Sequence, residues 1–237
     1  MIDIHTHILP EIDDGASSLE QSLEMADMAV EDGITTLIAT PHCLNGLYSI
    51  SREKIISACK KLNIALEGRN IPLTILPGSE IRLCPEIMGE LEQGRLMTVN
   101  DAGKYIFLEL PDQFIPRSVM GFLNRLRDRG IIPVITHPER NPVIQQHVEV
   151  LNDLISAGGL SQITAGSLTG DLGRRAFKSC RQIVEQNLVH FVASDAHSVK
   201  SRPPVLSAAF KKLSTLAGED AAEEIMIKAP LGMLESA

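Results

Sequence analysis

The 237-residue sequence contains no tryptophan, and aromatic residues make up only 3% of it. Aliphatic side chains must therefore fill the core, and a hydrophobic fraction of 44% is enough for a substantial one. Cysteine is sparse. Cys43, Cys59, Cys84 and Cys180 form no C-x-x-C pair, so no disulfide framework is indicated and reduced thiols are expected. Positive charge is in deficit. The net charge of −8 argues against nucleic acid as a partner, because such proteins rely on a basic face. A local positive pocket remains compatible with it. No run approaches the ~20 apolar residues that span a bilayer. No basic stretch precedes an apolar segment at the N-terminus, so neither membrane insertion nor a signal peptide is expected. The expectation is a cytoplasmic protein with one domain over residues 1–237.

What the sequence does contain is alternation. Short apolar, β-rich runs at 1–5, 35–40, 73–77, 105–110, 131–136, 159–164 and 189–193 predict strands. Helical patterns separate them, at 18–32, 51–67, 117–129, 148–157, 172–187, 205–216 and 220–227. Ser17 or Ser18 is placed to cap the first helix, and Gly33, Gly68, Gly130 and Gly158 stand where helices stop. Seven strands alternating with helices imply a parallel sheet. The preferred architecture is an α/β barrel of about seven βα units, with an open doubly wound sheet as the alternative. In such barrels the active-site residues sit at the C-terminal ends of the strands.

Metal-binding residue types gather at those ends. The first run passes into His5-Thr6-His7, where alternate residues of a strand project to one side. Asp13-Asp14-Gly15 follows in the loop. Later runs end at His42, Glu80, Glu109, His137 and Asp195-Ala196-His197. Six of the seven strand ends thus carry a histidine or a carboxylate, and five of the seven histidines lie there. Taken singly, each residue has an ordinary explanation: a core histidine, a salt bridge or a helix cap. Taken together they favour a divalent metal centre. His147 and His190 lack this context, and Cys43 reads as a small buried thiol.

Two motifs for a covalent nucleophile are absent. A C-x5-R cysteine nucleophile needs arginine six residues on, where this chain has Ser49, Ala65, Glu90 and Gln186. No D-x-D motif is present for an aspartyl-phosphate route. A metal-dependent amidohydrolase would commonly place a lysine or further histidine on the middle strands, where Glu80 and Glu109 stand.

The motifs resemble those of the polymerase-and-histidinol-phosphatase (PHP) superfamily. They include Met1 to Pro10 with Asp13-Asp14-Gly15, Ala39-Thr40-Pro41-His42, Pro77-Gly78-Ser79-Glu80-Ile81-Arg82, Leu108-Glu109 and Thr136-His137-Pro138-Glu139-Arg140. Thr164 to Gly170 and Ala193 to His197 with Arg202-Pro203-Pro204 complete them, in order along nearly the whole chain. Those last two stretches are similar to the capsule- and exopolysaccharide-locus tyrosine phosphatases of bacteria. The resemblance implies the PHP fold, a distorted (β/α)7 TIM-like barrel, holding three divalent metal ions. His5, His7, Glu80 and Asp195 would hold one, and Glu80, Glu109 and His137 a second with Glu80 bridging. Asp14, His42 and His197 would hold the third. The family usually works with Mn, with Fe, Mg or Zn as alternatives. Its substrate would be the phosphotyrosine tail of a bacterial tyrosine kinase that controls polysaccharide synthesis.

Such a set suits phosphoester hydrolysis. Three divalent ions outweigh four carboxylates, leaving a pocket that attracts a phosphate dianion. Arg140 and Arg202 can add guanidinium forks. A hydroxide bridging the first two metals would attack phosphorus, and His42 and His197 are candidates to assist the leaving group. A small-molecule phosphatase, such as one acting on histidinol phosphate, would use the same ligands. A non-catalytic, metal-stabilised interaction module is the reading from another class.

Overall fold

The computed structural model describes residues 1–236. Nine strands form two parallel sheets: β1 (Ile2–Thr6), β2 (Thr36–Ala39), β3 (His42–Cys43), β4 (Thr74–Pro77), β5 (Glu80–Arg82), β6 (Tyr105–Glu109), β7 (Ile132–Thr136), β8 (Leu160–Thr164) and β9 (Phe191–Ala193). One sheet has the order β1-β2-β4 and the other β3-β5-β6-β7-β8-β9. The helices are α1 (Leu19–Glu31), α2 (Arg52–Gly68), α3 (Ile87–Glu92), α4 (Val119–Asp128), α5 (Pro142–Gln146), α6 (Glu149–Ser156), α7 (Ala165–Thr169), α8 (Arg174–Glu185), α9 (Ser207–Ala217), α10 (Glu219–Glu223) and α11 (Ala229–Glu235). A π-helical turn, Glu224–Lys228, joins the last two.

Each of the seven expected strand runs contains one strand, and two short strands that the sequence did not suggest, β3 and β5, follow the second and third runs after a break. The run at 35–40 stops at Ala39, and the chain resumes pairing at His42. Pro41 lies in the break and has no N–H to give a ladder. The run at 73–77 ends at Pro77 and resumes as β5. Gly78 makes that step, and a Cβ there would lie 2.8 Å from Ile38 Cγ2. The consequence is functional. Both breaks shift the chain onto the second sheet, where His42 stands in register opposite Glu80.

Side-chain alternation builds a barrel with two apolar layers. Ile4, Ile38, Phe107, Val134, Phe191 and Ala193 form a buried inner cluster, joined by Val99 and by Met233 of α11. The alternate residues Leu37, Ile106, Leu108, Ile135, Ile163 and Val192 belong to the outer layer beneath the helices. An open doubly wound sheet has no such enclosed inner cluster, so the expected barrel-like architecture holds and the open-sheet alternative does not.

The ring is distorted where β9 meets β1. A single bridge, Thr6 with Ala196, links the two sides. His7 N–H donates to Ala196 O at 2.8 Å, and Asp195 N–H donates to His5 O at 2.9 Å. Lower down, the buried Asp3 carboxylate substitutes for a backbone partner and accepts from Ser194 N–H at 3.0 Å. Burial raises the Asp3 carboxyl to about 6, against the hydrogen bonds from Ser194 and His5.

Ser18 caps α1 by accepting from Gln21 N–H, and Gly33 follows in a left-handed conformation, as expected. The C-terminal helix expected over 220–227 instead continues through the π-helical turn to Glu235. No 18-residue helical window among the described residues is apolar enough to cross a membrane.

Candidate metal centre

The carboxyl-terminal strand ends converge. His5 Nε2 and His7 Nε2 lie 3.3 Å apart. Asp195 Oδ1 is 3.4 Å from each of them. Glu80 Oε2 is 3.5 Å from His5 Nε2 and 3.6 Å from His7 Nε2. Donors about 2.1 Å from a tetrahedral divalent ion stand about 3.4 Å from one another, so this spacing fits an ion at their centre. All four residues are buried.

The rings are oriented from behind. His5 Nδ1 donates to the Gln162 amide oxygen at 2.8 Å. Gln162 is itself fixed because its Nε2 donates to Ile163 O at 2.9 Å. His7 Nδ1 donates to Asp13 Oδ2 at 2.7 Å. His197 Nδ1 donates to Asp195 O at 2.8 Å. In each case the second nitrogen, Nε2, is left to face the centre, which is how metal-binding histidines are usually held.

Two further groupings adjoin the first. Asp14 Oδ1 is 3.4 Å from His42 Nε2 and 3.5 Å from His197 Nε2. His42, Glu80 and Glu109 also offer ligand atoms within 4.8 Å of one another. The expected trio of Glu80, Glu109 and His137 is arranged differently. His137 Nε2 lies 2.7 Å from Glu80 Oε1, which also accepts the Thr136 hydroxyl at 2.6 Å. Glu109 Oε2 lies 3.0 Å from Arg82 Nη1. His42, rather than His137, is grouped with Glu80 and Glu109, because the β3–β5 register brings it opposite Glu80.

Several ligand-type atoms are buried without a hydrogen bond: His42 Nδ1, Glu80 Oε2, Glu109 Oε2 and His197 Nε2. His42 Nδ1 approaches Glu80 Oε2 at 3.1 Å, close enough for an ion pair but without hydrogen-bond geometry. Buried groups of this kind are costly unless something binds them. Divalent cations would supply partners for these atoms.

The electrostatics of the protein alone point the same way. Burial pushes the His7 imidazole down, but Asp13 and Asp195 outweigh it and raise the group to about 10. Burial raises Glu80, yet His5 and His137 hold it well below the usual carboxylate range. Asp195 is likewise penalised by burial and brought well down by Arg140 and His5. The Asp14 carboxyl is lowered by its hydrogen bond to His197, against partial burial. His197 is lowered by burial and by the charge on His7.

Backbone conformation also marks the centre. His137 and Asp195 adopt φ of 35° and 52°, in the left-handed region that residues with a Cβ rarely occupy. Strain of about 1–3 kcal/mol per residue is typical of such positions and collects at functional sites.

A cavity of about 610 Å³ opens beside the carboxylates, lined in part by His42, Glu109, His137, Arg140 and Arg202. Its size lies within the range of small-molecule sites. Arg140 pairs with Asp195 Oδ2, and Arg202 Nη1 reaches the same oxygen at 3.0 Å. His147 is exposed at the surface beside Glu149, and His190 Nδ1 accepts from Ser161 N–H at the start of β8.

The sequence reading missed Asp13, Gln162 and Thr136, the residues that hold the rings and Glu80. Asp13 could have been found from the Asp13-Asp14-Gly15 turn, in which two adjacent carboxylates must point in different directions. Gln162 and Thr136 carry no comparable signal.

Comparison with known proteins gives a consistent result. Residues 1–235 match the family model described as capsular polysaccharide synthesis, CpsB/CapC. The tyrosine-protein phosphatase YwqE of Bacillus subtilis (strain 168) is 46% identical over 202 residues, covering 85% of this chain and 79% of that protein. The tyrosine-protein phosphatase CpsB of Streptococcus agalactiae is 30% identical over 241 residues, covering 100% of this chain and 99% of that protein. A solved structure from work on YwqE of Bacillus subtilis and CpsB of Streptococcus pneumoniae, described as metal-dependent tyrosine phosphatases, superposes with a TM-score of 0.90 at 42% identity. It covers 99% of this chain and 92% of that one.

Proposed function

The chain belongs to the CpsB/CapC family of capsular polysaccharide synthesis, and from that premise and the geometry above we propose that it is a metal-dependent protein-tyrosine phosphatase. The observation that carries the reading is the four-atom cluster of His5, His7, Glu80 and Asp195, with spacings of 3.3–3.6 Å. It stands beside a cavity that three arginines, Arg140, Arg175 and Arg202, line.

His5, His7, Glu80 and Asp195 would hold one divalent ion. Glu80, Glu109 and His137 would hold a second, and the approach of His42 to Glu80 and Glu109 adds it as a candidate there. Asp14, His42 and His197 would hold a third, with Mn the expected metal. When bound, such ions acidify water and neutralise developing charge on phosphoryl oxygens.

The chain's own residues supply the remainder. Asp13 and Gln162 fix the imidazoles of His7 and His5 so that neither ring has to reorganise. Arg140 and Arg202 converge on one side of the centre. There they would fork onto the phosphoryl oxygens and orient the ester. Tyrosinate leaves with a pKa near 10, so the demand for a general acid is modest. His42 and His197 are the candidates to deliver a proton only where they are not held as metal ligands. The proposed substrate is the phosphotyrosine tail of a tyrosine kinase governing polysaccharide synthesis, met in the cytoplasm.

The test is phosphate release by metal-stripped protein, with and without Mn, from a phosphotyrosine peptide and from histidinol phosphate. Mn-dependent release favouring the peptide is expected. Preference for histidinol phosphate would replace the substrate but keep the centre. No release from either with any divalent metal would overturn the phosphatase reading.

A further inference from the structure

The wall of the cavity beyond the metal centre is unevenly charged. Arg140, Arg175 and Arg202 share its lining with Asp112. Arg140 and Arg202 each pair with Asp195 beside the metal centre, and Asp112 pairs with Arg82, at 2.8 Å. Arg175 is different. It is exposed on the first turn of α8 and has no ion-pair partner among the described residues. That turn holds no acidic residue. Arg174 and Arg175 instead stand where free backbone N–H groups disfavour cations. The fold thus keeps a cation at an unfavourable position on the rim of the substrate cavity.

A second cavity, of about 490 Å³, shares Arg202 as its wall. Lys200 lines it, is exposed, and also has no ion-pair partner among the described residues. Asp171 in the same lining accepts the Thr169 hydroxyl at 2.6 Å. Thr164, fully buried in that lining, has a hydroxyl with no hydrogen bond among the described residues. Arg175 and Lys200 therefore flank Arg202, one in each cavity, and neither takes part in the metal centre.

We propose that Arg175 and Lys200 form a subsite for acidic side chains that flank the phosphotyrosine in a peptide substrate. This rests on the phosphatase reading and extends it from the phosphate to the peptide around it. A phosphotyrosine engaged by Arg140 and Arg202 leaves its neighbours over the rim on this basic side. Carboxylates there would meet the two unpaired cations, whereas Asp112 in the first lining is already paired with Arg82.

The experiment compares two phosphotyrosine peptides that differ only in Glu or Gln beside the phosphotyrosine. The Mn-loaded wild type is set against Arg175→Gln, Lys200→Gln and the double variant. The wild type is expected to favour the Glu peptide in kcat/KM by about fivefold, the scale of exposed ion pairs, with the difference carried by KM. Each single variant should reduce that ratio, and the double variant should bring it near one. Arg181→Gln removes the same charge from the same helix, but Arg181 pairs with Glu185, so it should keep the preference. Fluorescence anisotropy with non-hydrolysable phosphonate versions of both peptides should give the same ratio, shrinking as salt is raised. Equal use of the two peptides by the wild type, or a preference that persists in the double variant or vanishes equally in Arg181→Gln, would overturn the subsite alone. Failure of the wild type to hydrolyse either peptide with any divalent metal would overturn the phosphatase reading and the subsite together.

Discussion

Asp13 holds three groups at once. Its carboxylate accepts from His7 Nδ1, from Gly15 N–H at 3.0 Å and from His42 N–H at 3.0 Å. Two candidate ligands and the loop carrying a third therefore depend on one side chain that faces no metal itself. Asp13→Asn retains the shape but removes the charge that keeps the His7 ring aligned. A loss of about 10–100-fold in Mn affinity is expected, measured by isothermal titration of metal-stripped protein. His190 makes a separate prediction at this scale. Its Nδ1 accepts from Ser161 N–H at 3.2 Å, and burial lowers its pKa below 6.5. The unfolded chain therefore takes up this proton first as the pH falls. The stability contributed by neutral His190 is present above pH 6.5 and is lost between there and the lower folded value. Urea unfolding of wild type and His190→Gln at pH 8 and pH 5.5 checks this, and the wild type should lose more stability than the variant.

At the scale of elements, the loop after β1 is the most constrained piece. Its Gly15 packs on the strand end so closely that a Cβ would lie 2.0 Å from His7 O and 2.6 Å from His7 Cβ. The obstacle is mainly backbone, which cannot rotate away. Gly15→Ala should therefore destabilise the fold by at least the ~1–3 kcal/mol typical of overpacking. It should also weaken metal binding, because Asp13 and Asp14 move with the loop. Near-wild-type unfolding and metal titration would show that the loop is not pinned in this way. The same scale explains what could be read from sequence. All seven strand runs were visible because parallel strands buried on both faces are continuous apolar segments with sharp ends. Helix stops were visible where glycine takes a left-handed turn, as at Gly33 and Gly130. The divisions at Pro41 and Gly78 were not visible as divisions, since their cause lies in which strand is adjacent. The grouping of His42 with Glu80 and Glu109 escaped for that reason. Identities at strand ends are local information, whereas pairing between β3 and β5 is not.

At the scale of the whole molecule, metal dependence can be separated from foldedness. The apolar structure is continuous without the centre: an inner cluster from five strands, closed by Met233 of α11, and an outer layer beneath the helices. Metal-stripped protein should therefore retain its far-ultraviolet circular dichroism and unfold in one cooperative transition, as one domain would. Metal should still stabilise it, because only the native state brings Glu80 and Asp195 to the His5-Thr6-His7 pair. A ligand at one hundred times its Kd contributes about 2.7 kcal/mol per site. For a chain of this length that corresponds to a rise in Tm of about 5–10 °C. His5→Ala should fold like the stripped wild type, show a smaller rise with Mn than the wild type does, and lose turnover. A stripped protein that is unfolded would instead make the metals structural, and a folded protein whose Tm ignores Mn, Fe, Mg and Zn alike would mean that the clustered histidines and carboxylates bind none of these metals.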